Sequence, residues 1–373
     1  MRIGFDVAQT CVDKAGCGWY ADSLARALVK VAPEHQFYLY HQFGTWINGS
    51  TEKGTQIDAP NVDAPFLRTA PSEAAAFWAG TADFASLGHV PDIIHANCYQ
   101  APAVSGAKLV YTVYDVSFWA RPEFTTEANR QVCQSGTLGA LQRADGFVFI
   151  SQSAKDEFER FLPGWLARSK KPSMVTLLGA RSEKPPGIVP NQEGAYWLGL
   201  GSLEPRKNYE ALLDALEIYW GRSERKIPLR IAGGGGWNSE GLKRRIAALS
   251  QRGLVNYLGY VPDEDLPNLY AGAQALIFPS WYEGFGLPVL EAMTFGCPVI
   301  CSDRTSLPEV GGNAAWYIDP ANPGQIAMAM LRLETNEKAR RKLGHASLAQ
   351  AARFTWESTA RQTLELYRQL GCA

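Results

Sequence analysis

The stretch Tyr196-Trp-Leu-Gly-Leu-Gly-Ser-Leu-Glu-Pro-Arg-Lys-Asn208 runs from a short apolar segment through a Gly/Pro turn to the threshold of a helix. Leu212, Leu213, Leu216 and Tyr219 then recur at helical spacing. A strand that turns into a helix is the repeating unit of a parallel sheet, whose neighbouring strands need a crossover. The same unit recurs in both directions. Ile3–Val7, Phe37–Tyr40, Ile93–Ala96, Leu109–Tyr114 and Phe147–Ile150 precede it, and Leu229–Ala232, Val255–Leu258, Ala275–Phe278 and Val299–Cys301 follow. Helical patterns such as Leu24, Leu28 and Val31 lie between them. Right-handed βαβ connections would place helices on both faces of such sheets. Ten or more strands exceed what one ordinary sheet holds, so the expected class is α/β with two doubly wound parallel-sheet domains.

The length of 373 residues agrees with two domains. Arg181 to Gly194 carries three prolines and two glycines with little to bury, and reads as the linker. Gly44 to Ala70 is long and irregular, either a mobile loop near the site or a surface insertion. Lys and Arg number 36 against 37 Asp and Glu, which speaks against a general nucleic-acid binder. No apolar run is long enough to span a membrane, and Met1–Asp6 reads as a strand rather than a signal peptide. Seven cysteines without a C-x-x-C pair read as free thiols in a reducing cytoplasm. The five histidines show no metal-ligand spacing, and no metal or cofactor is expected.

Two turns carry chemistry. In the first, Gly201 and Ser202 offer backbone N–H groups, and Arg206 and Lys207 are adjacent cations. Cations disfavour a helix start unless an anion joins them, so the turn reads as a diphosphate clamp, with Asn208 as helix N-cap. In the second, Phe278-Pro-Ser-Trp-Tyr-Glu-Gly-Phe-Gly-Leu-Pro-Val-Leu-Glu-Ala-Met293, glycines 284 and 286 permit a tight loop, and Pro288 suits a first helical turn. Glu283 and Glu291, eight apart, can accept hydrogen bonds from sugar hydroxyls while loop N–H groups meet phosphate oxygens.

Together with L-G-Y-V-P-D-E-D-L-P-N-L-Y at 258–270, these motifs resemble retaining glycosyltransferases of the GT-B fold, glycosyltransferase family 4. The resemblance implies two Rossmann-like domains facing across a cleft. Residues 1–185 would form the acceptor-binding domain and 186–354 the nucleotide-sugar-binding domain, with 355–373 a last helix crossing back to the first. It implies metal-independent transfer with retention of configuration. Arg206 and Lys207 would hold the diphosphate, Glu291 the ribose and Glu283 the donor sugar. The backbone of Gly284, Phe285, Gly286 and Leu287 would meet phosphates or sugar, and Gly259, Tyr260 and Leu266 the base. Gly233 and Gly234, after strand Leu229–Ala232, fit a close approach to the nucleotide. Asp263-Glu-Asp265 reads as helix capping rather than as a metal motif.

In the N-terminal half, Gly16 and Gly18 stand where the family has G-I-G-R-Y, with Cys17 and Trp19 at the variable positions. Ala21 and a following strand without an acidic end disfavour NAD. Tyr114-Asp115 replaces the family's His-Asp, so Tyr114 could hydrogen-bond a sugar but, with an ordinary pKa of about 10, is a poor proton shuttle. Asp115 is a candidate base or orienter, and His95 either compensates or is structural. Residues 158–171 mix aromatics with Arg160, Arg168, Lys170 and Lys171, either a peripheral membrane contact or a helix end followed by a charged loop. The implied function is transfer from a UDP- or GDP-sugar to a glycan or lipid-linked acceptor in surface polysaccharide or O-antigen assembly, in the cytoplasm or at the inner face of the plasma membrane. The alternatives are a degenerate nucleotide-sugar-binding scaffold and a sugar-nucleotide 2-epimerase.

Overall fold

The computed structural model describes residues 1–12, 14–181, 194–237 and 239–371. The chain forms two compact units. One comprises Met1–Pro122, Glu127–Gly179 and the C-terminal segment from Thr355; the other comprises Glu123–Thr126 and Ala180–Phe354. The linker read at 181–194 falls, from Ser182 to Glu193, outside the described residues, as does Cys372.

The first unit holds β1 (Arg2–Asp6), β2 (Gln36–Tyr40), β3 (Val62–Asp63), β4 (Ile93–Ala96), β5 (Lys108–Val113), β6 (Gly146–Phe149) and β7 (Ser173–Val175). Its sheet has the order β3-β2-β1-β4-β5-β6-β7, and every described pairing is parallel. The second unit holds β8 (Tyr196–Leu200), β9 (Leu229–Ala232), β10 (Val255–Gly259), β11 (Ala273–Phe278), β12 (Val299–Ser302) and β13 (Trp316–Ile318), in the order β10-β9-β8-β11-β12-β13, also parallel. These are two Rossmann-like α/β units. Three short strands escaped the sequence reading. β3 lies inside the stretch read as irregular, and β7 and β13 have three residues each, too few for a periodic signal.

Each sheet is buried on both faces, which is why its strands read as unbroken apolar runs. Ile3, Phe5, Ile93, Ile94, Val110 and Phe147 are fully buried in the first unit, as are Trp197, Leu198, Leu229, Ile231, Leu276 and Ile300 in the second. Trp197 packs edge-on against Tyr219 of helix Tyr209–Trp220, with ring centroids 5.5 Å apart.

Helix Trp356–Gln369 belongs to the first unit. Thr359 Oγ1 hydrogen-bonds the Leu177 carbonyl at 2.5 Å, and Lys30 at the end of helix Gly16–Val31 pairs with Glu357 at 2.8 Å.

Strand order decides where chemistry can happen. In open α/β sheets, ligands bind beyond the carboxyl ends of strands where the order reverses, since the crossovers on either side diverge and leave a crevice. That reversal lies between β1 and β4 in one unit and between β8 and β11 in the other. Both chemistry-bearing turns of the C-terminal half follow β8 and β11.

Candidate functional site

β8 ends at Leu200. The chain continues through Gly201, whose φ of +131° favours glycine, into the short turn Pro205–Lys207. Asn208 follows in a left-handed conformation with φ +56°. It occupies the N-cap position of helix Tyr209–Trp220 without capping it through its side chain, a correction to the expected role. Its Nδ2 instead donates to the carbonyls of Pro279 at 3.0 Å and Pro320 at 2.8 Å, fastening the β8 turn to the β11 turn. The Trp281 amide donates to the Arg206 carbonyl at 2.9 Å and adds a second tie.

These ties bring Arg206, Lys207 and Glu283 together. Lys207 Nζ donates to Glu283 Oε1 at 2.8 Å, and Arg206 Nη1 donates to Glu283 Oε2 at 2.7 Å. Arg206 Nη2 also reaches Glu204 at 3.1 Å. The ammonium of Lys207 sits 4.6 Å from the centre of the Phe278 ring, a cation–π distance. Burial pushes the Glu283 carboxyl up, but the Arg206 and Lys207 charges outweigh it and hold its pKa to about 2. Burial also lowers the Lys207 ammonium, and Glu283 opposes that. A carboxylate gripped by two cations stays ionised, and with it the lysine.

The glycines have specific reasons. A Cβ on Gly233 would lie 2.0 Å from the Gly201 carbonyl oxygen, and one on Gly236 would lie 2.4 Å from that of Leu203. These residues let the β9 turn lie against the β8 turn, and Leu203 donates its amide to the Gly234 carbonyl at 3.1 Å. At Gly234 itself a Cβ would meet nothing within 4 Å. Gly286, with φ +104°, opens helix Leu287–Thr294, and a Cβ there would press on Leu307 at 2.6 Å. Phe285 is buried against Phe354, and Ser306 Oγ donates to the carbonyls of Glu283 and Phe285 at 2.9 and 2.8 Å.

Glu291 lies on that helix, 3% exposed. Its carboxylate accepts from Arg181 Nε, from Arg181 Nη2 at 2.7 Å and from the Tyr270 hydroxyl at 2.8 Å. Arg181, read as linker, also donates to Asp263 at 3.3 Å. Asp265 is the N-cap residue of helix Leu266–Ala271 but makes no side-chain cap bond, which corrects the capping expected of it, and Asp263 pairs with Arg181. Gly259, with φ +67°, ends β10, Tyr260 is 67% exposed and Leu266 is buried.

In the first unit, the strands at the reversal end in Asp6 and Ala96. Asp6 is fully buried and accepts from the amides of Ala8 at 3.0 Å and Asn97 at 3.1 Å, and from Gln9 Nε2 at 2.9 Å. Burial raises its carboxyl to about 7 against those three donors. Asp6 and Asn97 were not singled out from sequence, although a carboxylate closing an apolar strand is a readable signal. Gly16 begins helix Gly16–Val31, and a Cβ on Gly18 would lie 3.0 Å from the Gln9 carbonyl oxygen.

Tyr114 follows β5 and is buried, and among the described residues its hydroxyl has no hydrogen-bond partner. Its ring stacks edge-on to Tyr20, centroids 5.2 Å apart. Gln9 Oε1 and Asn97 Oδ1 are likewise buried without a partner among the described residues. Asp115 accepts from the Ser117 amide at 2.9 Å. His95 lies on β4 and is fully buried. Its ring nitrogens lie 2.6 Å from the Tyr367 hydroxyl and 2.7 Å from Thr112 Oγ1, and burial pushes its pKa down to about 3.

The segment 158–171 turns its aromatics inward. Phe158 is fully buried, and Trp165 packs against Phe147 at 5.3 Å. Arg160 pairs with Glu157 at 3.1 Å. Among the described residues, no helix is long and apolar enough to cross a membrane, and no cluster of His, Cys, Asp or Glu is arranged to hold a metal ion.

Comparison with known proteins bears on family and fold. Residues 181–350 match the family model described as glycosyl transferases group 1. The chain is 33% identical over 269 residues to O-antigen chain mannosyltransferase B of Escherichia coli, an alignment covering 70% of this chain and 71% of that one. Sucrose-phosphate synthase of Thermosynechococcus elongatus superimposes with a TM-score of 0.73 at 19% identity, covering 99% of both chains. HepE of Anabaena, in complex with UDP and glucose, superimposes with a TM-score of 0.68 at 17% identity, covering 99% of this chain and 100% of that one. The architecture is therefore GT-B.

Proposed function

The chain belongs to the group 1 glycosyl transferases, and from that premise we propose that it is a retaining mannosyltransferase of glycosyltransferase family 4. It moves mannose from a UDP- or GDP-linked donor onto a growing surface glycan of the O-antigen type, free or lipid-linked. The relative acting on O-antigen chains supports the sugar and the acceptor class. The structure bound to UDP and glucose supports a nucleotide-sugar donor. The reaction is metal-independent and takes place in the cytoplasm or at the inner membrane face.

The observation that carries this reading is the cluster of part-buried Arg206 with buried Lys207 and Glu283 at the strand-order reversal. The donor's diphosphate lies against Arg206 and Lys207. A lysine ammonium carries three N–H donors, and Glu283 takes one here. As the bond between the anomeric carbon and the phosphate oxygen breaks, negative charge grows on the leaving diphosphate. Cations already fixed by Glu283 stabilise that charge without reorganising, which is how preorganised electrostatics lowers a barrier. The acceptor hydroxyl attacks on the face the phosphate leaves, and the departing phosphate oxygen takes its proton. Retention follows. Glu283 also accepts from the donor sugar's hydroxyls, Glu291 accepts from the ribose, and the Gly201–Ser202 and Gly284–Leu287 backbones meet the phosphates.

In the first unit, Tyr114 is the polar group offered to an acceptor sugar, with Asp115 orienting the turn. Its buried hydroxyl, without a partner among the described residues, supports this.

Incubation with UDP- and GDP-mannose and a mannan-type oligosaccharide tests the proposal. Acceptor-dependent release of nucleoside diphosphate and an α-anomeric proton signal in the product are expected. Release without acceptor dependence would favour an epimerase. Nucleotide binding with no turnover on any acceptor would favour a scaffold.

A further inference from the structure

Glu291 has two oxygens and about four acceptor positions. Arg181 occupies one on each oxygen, through Nε on Oε1 and Nη2 on Oε2, and the Tyr270 hydroxyl takes a second on Oε2 at 2.8 Å. Among the described residues, one position on Oε1 is left. A planar guanidinium bound through two nitrogens fixes both the position and the plane of a carboxylate, which a lysine ammonium cannot do. The third nitrogen of Arg181 reaches Asp263 at 3.3 Å, in the segment between Gly259 and Leu266. The Arg181 side chain is 16% exposed and that of Glu291 3%, so little water competes for either.

We propose that Arg181 is the positioning residue of the nucleoside site: it locks the Glu291 carboxylate so that one defined acceptor meets the ribose diol, and ties that carboxylate through Asp263 to the base-contacting segment. The inference rests on the reading of Glu291 as the ribose ligand. Arg181 touches no reacting atom. Its effect therefore falls on how tightly the ribose is held, and chemistry on the bound donor proceeds at an unchanged rate.

This geometry makes a narrow demand. Losing the bidentate grip should weaken ligands that carry the ribose diol and spare those that lack it. The experiment is calorimetric titration of the full chain and its Arg181→Lys variant with UDP and GDP, and with their 2′,3′-dideoxy counterparts. For the nucleotide that the wild type prefers, the variant should lose about tenfold in affinity, the loss of one charge-assisted hydrogen bond. Its affinity for the dideoxy counterpart should not change. The donor KM should rise with kcat preserved, and in a Glu291→Gln background the Arg181→Lys effect should disappear.

Equal losses on both nucleotides, or no loss on either, overturn the inference while leaving the ribose role of Glu291 intact. A wild type that binds ribonucleotide and dideoxynucleotide equally contradicts that role, and the inference falls with it. A thermal midpoint for Arg181→Lys close to wild type accompanies the expected result. A collapsed midpoint with equally weakened binding assigns Arg181 to folding alone and overturns the proposal.

Discussion

The Lys207 ammonium and the Glu283 carboxylate meet at 2.8 Å although 76 residues separate them, because each follows one of two adjacent strands, β8 and β11. Arg206 closes on the other oxygen of the same carboxylate at 2.7 Å. The charges are arranged before any donor arrives.

Lys207→Ala should lower turnover about a hundredfold or more, the usual result of removing one preorganised donor from a developing anion. It also leaves Glu283 with one cation fewer, so stability should fall by about 1–3 kcal/mol. Urea denaturation separates the two effects, and assay well below the unfolding range reads the first alone. Wild-type turnover in this variant contradicts the clamp.

Gly233→Ala forces a methyl group to within 2.0 Å of the Gly201 carbonyl oxygen, at a backbone φ of +152° that suits glycine alone. The β8 and β9 turns must move apart, and with them the entry to Arg206 and Lys207. Overpacking of this kind costs about 1–3 kcal/mol or more. Weakened nucleotide binding should accompany the loss. At Gly234, where a Cβ meets no protein atom within 4 Å, alanine should leave stability unchanged, which gives an internal control for the packing effect alone.

Tyr114→Phe removes a buried hydroxyl that has no partner among the described residues. Stability should hold or rise slightly, since an unsatisfied polar group is lost. Turnover should fall about tenfold if that hydroxyl bonds the substrate, as one hydrogen bond of about 1.4 kcal/mol would require. Unchanged turnover would place Tyr114 among the structural aromatics with Tyr20.

His95 sets an acid limb of stability. Burial lowers its pKa in the folded chain to about 3, from an ordinary value of 6.5. Between those values the unfolded chain binds the proton and the folded chain does not, so stability falls as pH drops from about 6.5 towards 3. It is fully present above 6.5. His95→Gln should flatten this limb in denaturation curves taken at successive pH values, while leaving the pH profile of turnover near neutrality unchanged. A shift of that profile would return His95 to the chemistry.

What the sequence made legible follows from the period of its patterns. Both sheets are buried on two faces, so strands such as Ile93–Ala96 and Leu229–Ala232 appear as apolar runs and were placed to the residue. Strand–turn–helix units at Gly201–Lys207 and Pro279–Leu287 announced the two turns that meet at Glu283, because Gly, Pro and charge cluster there. Contacts made by one side chain across a long separation left no local mark. Arg181 looked like linker because its neighbours are Pro- and Gly-rich, yet its partner lies 110 residues on. Asp6 and Asn97 stand at two strand ends 91 residues apart and pair only once β1 and β4 are adjacent. Asn208 has the right residue type for a cap, and the proximity of two proline carbonyls redirected it.

The central claim is that the second unit binds a nucleotide sugar at Lys207, Glu283 and Glu291 without metal. The most direct measurement is a thermal-shift titration of the full chain with UDP, GDP, ADP and their mannose and glucose conjugates, each with and without EDTA. A ligand at 100 times its dissociation constant stabilises the state it binds by about 2.7 kcal/mol. A saturable shift for the uridine or the guanosine series, insensitive to EDTA and lost in Glu291→Gln, is the predicted result. No shift with any of them, or one that EDTA abolishes, would contradict the account.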